Sequence, residues 1–295
     1  MSLPRFVDAH MHLWQLDRLA YPWLRPPFAD DGPNGSVAAI AHDYELKDYF
    51  GDAGAHRPVK IVHIDAGAGA GDALEETRWL QSLADDGGFP HAIVAFAGLD
   101  DPDVERLLAA HTMSANVRGI RHILNWHPDP KRTYTPRDLL DDEAFARGYG
   151  LLAKYGLSFD LQIYPNQMQK AAALAARHPD IPVILNHMGM PVDLDRTEWR
   201  AGMKALAGLP HVAVKISGFG FIDRAWTMDA MRPLVLETIR LFGMDRVLFA
   251  SDFPTDKLWN SYARALDAYD AITLDFSADE RAALFGRNAE RIYRI

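Results

Sequence analysis

Eight short apolar runs punctuate this chain, each followed by a polar turn. A stretch in which apolar residues return every three or four positions then follows most of them. The runs are Arg5–His10, Val59–Asp65, Ala92–Ala97, Val117–Arg121, Ser158–Ile163, Val183–Asn186, Val212–Ile216 and Val247–Ala250. Most are apolar throughout rather than alternating, which suits strands covered on both faces. Strand, loop, helix and strand in repetition implies βαβ units around a parallel sheet. Eight such strands predict a closed (β/α)₈ barrel of the TIM type. Barrels of this kind take about 250 residues as one unit, so residues 1–295 are expected to form a single domain.

The intervening periodic segments predict helices over Ala73–Ala84, Ala144–Tyr155, Met168–Arg177, Glu198–Ala207 and Met228–Phe242. Asp101 reads as a cap with Pro102 in the first helical position. Thr197 and Thr227 read as caps of the helices that follow them. Ser277 with Glu280 has the spacing of a capping box ahead of a terminal helix.

Two connections are much longer than the rest: Leu13–Pro58 after the first strand and His122–Asp142 after the fourth. Long loops inside a compact fold are usually functional or disordered. These carry Trp14, Tyr21, Trp23, Phe28 and Trp126 among many prolines, so they are expected to be ordered lids. Both follow strands, which places them at the barrel face where active sites are built.

Composition narrows the partners. The net charge of −9 argues against nucleic acid, whose binding rests on clustered Lys and Arg. With no cysteine, disulfides, thiolate catalysis and Cys-ligated metals are excluded. No apolar stretch is long enough to span a bilayer, and Met1–His12 is too short and polar for a signal peptide. The expectation is a cytoplasmic protein acting on a small molecule; the pattern is compatible with a homo-oligomer without specifying one.

The chemistry-bearing residues gather at strand ends. His10 and His12 end the first strand two residues apart, so both side chains point the same way. Such a pair suits a divalent cation, or orients a water or a substrate oxygen. Taken alone, it reads equally as one surface and one core histidine. Asp252 ends the eighth strand, where a carboxylate ligates a metal or takes a proton from water; alone, it reads more readily as a turn residue. His187 ends the sixth strand before Gly189 and Pro191. Arg121 or His122 on the fourth strand, Gln162 and Tyr164 on the fifth, and Lys215 and Ser217 on the seventh would supply donors to a polyhydroxylated or carboxylated ligand. Trp14, Trp23 and Trp126 in the lids could stack on a sugar-like ring.

Read in order, Asp8-Ala9-His10-Met11-His12-Leu13-Trp14, Tyr21-Pro22-Trp23-Leu24, Arg118-Gly119-Ile120-Arg121-His122, Asn186-His187-Met188-Gly189-Met190-Pro191, Lys215-Ile216-Ser217-Gly218, Ser251-Asp252-Phe253-Pro254 and Asn288-Ala289-Glu290-Arg291-Ile292-Tyr293 span nearly the whole chain. In that order they resemble the amidohydrolase superfamily, in its branch of fuconolactonase-like and pyrone-dicarboxylate-lactonase-like enzymes. The resemblance implies hydrolysis of a lactone, with a sugar (aldono) lactone as the expected substrate. It implies an active-site set of His10, His12, His187 and Asp252. It also implies one divalent ion, Zn or Mn, on His10, His12 and Asp252, or catalysis with no metal. Two departures speak against a binuclear centre. The fourth strand lacks a bridging Lys or Glu, and Gln162 stands where many metal-dependent members have His. Arg121, His122, Gln162, Tyr164, Lys215, Trp14 and Trp126 are the expected substrate contacts. The alternative is a metal-dependent decarboxylase of an aromatic or unsaturated acid on the same barrel.

Overall fold

The structure, a computed structural model, describes residues 3–295. Eight parallel strands follow one another around a sheet in sequence order. They are β1 (Val7–Met11), β2 (Lys60–Ile64), β3 (Ala92–Phe96), β4 (Val117–Arg121), β5 (Ser158–Leu161), β6 (Val183–Leu185), β7 (Val212–Ile216) and β8 (Val247–Phe249). Seven fall inside runs expected from the sequence, and β1 extends one residue past its expected end at His10, to Met11. The barrel is nearly closed: β1 and β8 share no ladder, and the join forms just beyond β8, where Met11 bridges Phe253.

The helical layer comprises α1 (Leu46–Ala53), α2 (Ala73–Gly87), α3 (Val104–His111), α4 (Glu143–Leu151), α5 (Met168–Ala176), α6 (Thr197–Ala207), the single-turn α7 (Phe219–Ile222), α8 (Met228–Phe242), α9 (Tyr262–Ile272), α10 (Ala278–Ala282) and α11 (Asn288–Tyr293). A π-helical turn, Ala283–Arg287, joins the last two. The Thr227 cap forms, its hydroxyl accepting from Ala230 N, and Ser277 and Glu280 make the reciprocal capping box. Two expected starts shift. α3 begins at Val104 rather than Pro102, because Asp101 closes a turn on Asp103 N instead of capping a helix. Thr197 is already helical, and Asp195 accepts from both its N–H and its hydroxyl.

Two substantial helices lie where none was expected. α1 sits within the first long loop behind a capping box made by Glu45 and Asp48, an acidic pair outside the usual Ser/Thr signature. α9 follows the Ser261 cap and buries Tyr262, Ala265, Leu266, Tyr269 and Ile272. That spacing of three and four is a helical stripe the sequence does carry. The long loops are ordered, as expected of lids, and are threaded by short 3₁₀ turns at Pro22–Leu24, Ala38–Ile40 and Leu139–Asp141.

The hydrophobic interior divides in two. A large cluster fills the layer between barrel and helices, and a smaller one lies inside the barrel, with Ala9, Ile64, Val94, Ile184, Ala213 and Leu248 among its members. The C-terminal segment contributes Ala289 and Tyr293 to the inner cluster. Phe285 packs edge-on against Phe6 and Phe249. No helix is long and apolar enough to cross a membrane among the described residues.

The helical layer touches the backbone of the loop after β3 directly. Gly148 of α4 lies against the Leu99 carbonyl so closely that a β-carbon there would overlap it. Backbone cannot retreat as a side chain does, and interiors packed at crystal density transmit such strain. Gly148→Ala is expected to cost about 3 kcal/mol, read as a lower urea midpoint. A midpoint equal to that of the unaltered protein would show that α4 shifts freely.

Candidate active site

The first strand carries an irregularity in its pairing with β2 between Asp8 and Met11. Asp8 turns toward the helices, accepting from Tyr49 Oη at 2.7 Å and Tyr262 Oη at 3.3 Å. Its other oxygen takes Ser251 N at 2.8 Å and His10 N at 3.2 Å, tying β1 to the segment after β8. Across the same seam, Asp252 N donates to His10 O and His12 N donates to Phe253 O, both at 2.8 Å. Asp252 itself has φ +59°, a left-handed conformation that costs a non-glycine residue on the order of 1 kcal/mol or more. The seam's hydrogen bonds hold it there.

The result is convergence on one carboxylate. Asp252 Oδ1 lies 3.3 Å from His10 Nε2, 3.4 Å from His12 Nε2 and 3.9 Å from His187 Nε2. His187 also has a positive φ, 53°. It follows β6 in a turn whose Met188 carbonyl accepts from Trp199 Nε1 at 2.7 Å. All four residues are buried. Burial is the dominant influence on each. It lowers His12 to about 3 and His10 and His187 well below the usual histidine range, with nearby Arg121 or Lys215 adding to the effect. Burial also raises Asp252 well above the usual carboxylate range, against the pull of Arg121 and Lys215. The imidazoles are therefore neutral near pH 7, and these close approaches are contacts of neutral rings rather than ion pairs.

Each ring has a partner on its far side. His12 Nδ1 donates to Ile64 O at 2.8 Å, which leaves a lone pair on Nε2. His187 Nδ1 meets Ser217 Oγ at 2.9 Å, and His10 Nδ1 lies 3.4 Å from Lys215 Nζ. The potential ligand atoms of His10, His12 and Asp252 all lie within 4.8 Å of one another. His10 Nε2 and Asp252 Oδ2 are buried without any hydrogen-bond partner. Buried polar atoms rarely stay unpaired. Two nitrogens and a carboxylate facing one point are a donor set suited to a single divalent ion.

Above this cluster opens a cavity of about 230 Å³. Its floor is His12, His187, Asp252 and Arg121; Trp23, Ile123 and Phe221 form apolar wall, and Gln162, Asn34 and Tyr134 add polar groups. Of the substrate contacts expected from sequence, Arg121 and Gln162 line it. The others do not. Lys215 lies beneath His10, fully buried, bonded to Asp160, which also accepts from Tyr293 Oη. His122 turns aside to accept from Leu99 N. Tyr164 donates to Arg132 O. Trp14 is wholly buried, donating to His42 O and packed edge-on against Trp23. The Trp126 ring is absent from the lining, and its backbone N–H binds Gln167. The directions of His122, Tyr164 and Trp14 are set by loop partners far away in sequence, and that of Lys215 by Asp160 on β5.

Four residues around the site were not singled out from sequence. Asp65, at the end of β2, accepts from Arg121 Nε at 3.1 Å, and its carbonyl takes Arg121 Nη2. His63, two residues earlier, accepts from Leu13 N at 3.0 Å and fixes the start of the first lid. That His-x-Asp spacing at a strand end was a legible signal, of the same kind as His10 and His12. Asn34 and Tyr134 had none, lying in loops without periodicity. Opposite the site, Gly218 has φ +66°, and a β-carbon there would lie 2.7 Å from His187 Nδ1. The position thus keeps room for that ring.

An open parallel barrel with histidines and a carboxylate at the carboxyl ends of its strands is a frame shared by many hydrolases. The chain belongs to the amidohydrolase family, whose model matches residues 7–295. It is 43% identical to the protein y4mH of Sinorhizobium fredii over the full length of both. It is 30% identical to L-fucono-1,5-lactonase of Burkholderia multivorans, covering 98% of this chain and 96% of that one. Among solved structures, an amidohydrolase from Burkholderia multivorans with bound HEPES matches with a TM-score of 0.82 at 28% identity, covering all of both chains. A second crystal form, with bound Zn, gives 0.80.

One buried acid behind the site makes stability depend on pH. Glu76 of α2 is 1% exposed, and burial, reinforced by the charge of Asp65, raises it to about 8. Unfolded, it ionises near the ordinary value of about 4.3. Between those limits the folded state holds the extra proton, so this group weakens the fold as pH rises from about 4.3 to 8. Glu76→Gln is therefore expected to raise the melting temperature more at pH 8 than at pH 5. A difference independent of pH would mean that Glu76 is ionised in the fold.

Proposed function

We propose that this protein hydrolyses the ester bond of a neutral sugar lactone, with Asp252 as the base and the three histidines framing the reacting carbonyl. The observation that carries the reading is the convergence of His10, His12 and His187 on Asp252 Oδ1 at the floor of a cavity. Kinship with L-fucono-1,5-lactonase at 30% identity supports lactone chemistry. The charge of the cavity supports a neutral substrate. Among the described residues Arg121 is the one cation in the lining, and Asp65 is already bonded to it. A pyrone dicarboxylate, or the acid consumed by a decarboxylase, would bring one or two carboxylates to a wall with no free countercharge.

In this mechanism a water lies between Asp252 and the carbonyl carbon. Its oxygen forms the new C–O bond as its proton passes to Asp252. The Ser217 hydroxyl, donating to His187 Nδ1, places hydrogen on His187 Nε2, which faces the developing oxyanion. Arg121 adds a fixed positive charge nearby. When the tetrahedral intermediate collapses, the ring C–O bond breaks and the leaving alkoxide takes the proton from Asp252. The products are an open hydroxy acid and the regenerated carboxylate. His10, His12 and Asp252 would hold a Zn or Mn ion, and such an ion supplies Lewis-acid polarisation of the carbonyl and a more acidic water.

Proton release from a panel of aldonolactones, followed with a pH indicator, tests the reading. Asp252→Asn is expected to lower turnover about 10³-fold while leaving the melting temperature near that of the unaltered protein. Near-normal turnover by Asp252→Asn, or no hydrolysis of any aldonolactone, would overturn it. Since burial raises Asp252, kcat/KM of the chelator-treated enzyme should climb with pH along a limb above the ordinary carboxylate range. A limb near pH 4 would assign the base elsewhere.

A further inference from the structure

The two long lids meet at an exposed ion pair, Lys131 with Asp31 at 3.4 Å, and at a hydrogen bond that faces the cavity. Tyr134 Oη, from the loop after β4, donates to Asn34 Oδ1, from the loop after β1, at 2.5 Å. Both residues line the cavity. Neither is needed by the cluster at the floor. Tyr134 is firmly placed: its N–H donates to Asn125 O at 2.9 Å, and on either side the Thr133 hydroxyl donates to Thr135 O at 2.8 Å and the Thr135 hydroxyl to Arg137 O at 2.9 Å. Asn34 stands beside Gly35, against which the Arg224 guanidinium lies from outside. Elements after β1, β4 and β7 therefore converge on this corner.

The chemistry of the pair is specific. Once Tyr134 has given its hydrogen to Asn34, its oxygen lone pairs and the Asn34 Nδ2 hydrogens remain. They form an uncharged acceptor and donor side by side, which matches an alcohol, itself both donor and acceptor. A carboxylate would meet the Tyr134 lone pairs with no hydrogen to give. The walls beside it, Trp23, Ile123 and Phe221, offer no hydrogen bond within the cavity apart from backbone. Trp23 Nε1 is already given to Ala66 O.

We propose that Tyr134 and Asn34 form a hydroxyl-reading subsite that selects lactones bearing an alcohol on the ring carbon presented to the lids, away from the carbonyl held over Asp252. The proposal rests on the lactone reading for its substrate class. The alcohol would bridge the two loops at a point where they already share a bond. The pair is half-buried, so a deoxy ligand seated over it would exclude water from these groups without replacing its hydrogen bonds, and discrimination against that ligand follows.

The test compares kcat/KM for pairs of aldonolactones that differ by one ring hydroxyl. The unaltered enzyme should prefer the hydroxylated member of one pair by about 10- to 100-fold. Tyr134→Phe and Asn34→Ala should each bring that ratio to within about 3-fold of unity. An equal fall on both members would make the pair a purely structural clasp and overturn the proposal, as would an unchanged ratio. Calorimetry with the corresponding lactams, which bind without turnover, separates this from the lactonase reading. If no lactone is hydrolysed yet the lactam pair shows an affinity gap that Tyr134→Phe removes, the subsite stands and the reaction is wrong. If the unaltered protein shows no gap with any lactam pair, the subsite is wrong whatever the enzyme hydrolyses.

Discussion

The seam that closes the barrel is the constraint on which the rest of the structure depends. β1 and β8 do not zip together as a ladder. They are joined by the Met11–Phe253 bridge, by reciprocal backbone bonds at His10, His12, Asp252 and Phe253, and by the Asp8 carboxylate, which binds Ser251 N across the gap. The residues that close the fold are thus the residues that make the site. Asp252 is held in a left-handed conformation by two chains of contacts, so its carboxylate cannot relax away from the histidines. Strain at such a position is sustained by surrounding structure that over-determines it.

Burial then sets the charge of the centre. Removing four ionisable groups from water favours their neutral forms, which pushes the histidines down and the aspartate up. The cluster therefore holds neutral imidazoles with lone pairs around a carboxyl whose hold on a proton is strengthened, instead of a set of mutually cancelling charges. The one full ion pair close beneath it, Lys215 with Asp160, lies inside the barrel away from the cavity. Buried pairs of this kind are poor sources of stability, since desolvation offsets most of the attraction. Its place under His10 points to orientation of that ring as the gain.

The lids complete the chamber with few charges. Trp14, although it belongs to the first lid, is spent on holding that lid together, and Trp23 beside it forms the wall. Arg121 looks from sequence like a cation offered to substrate, yet Asp65 binds it through both side chain and backbone. The chamber is in consequence polar but close to neutral.

Much of this was legible before any coordinates. Strands buried on both faces need unbroken apolar runs, so all eight could be read from local pattern, and with them the barrel, since eight parallel strands alternating with helices have few other ways to close. His10, His12, His187 and Asp252 were legible for the same reason: strand ends in such a barrel share one rim. Caps such as Thr227 and Ser277 were local and formed as expected. What sequence did not determine was the direction of side chains at the strand ends and in the lids. Lys215, His122, Tyr164, Trp14 and Trp126 sit at or near strand ends but turn toward partners brought close only by folding. Asn34 and Tyr134, 100 residues apart, carry no local pattern at all, because loop contacts are made by chain closure and not by periodicity. The primary structure by itself determined the frame and the floor of the site, whose order is local and repeated. Only the tertiary structure decided its walls and its charge, which depend on distances between segments that no local pattern encodes.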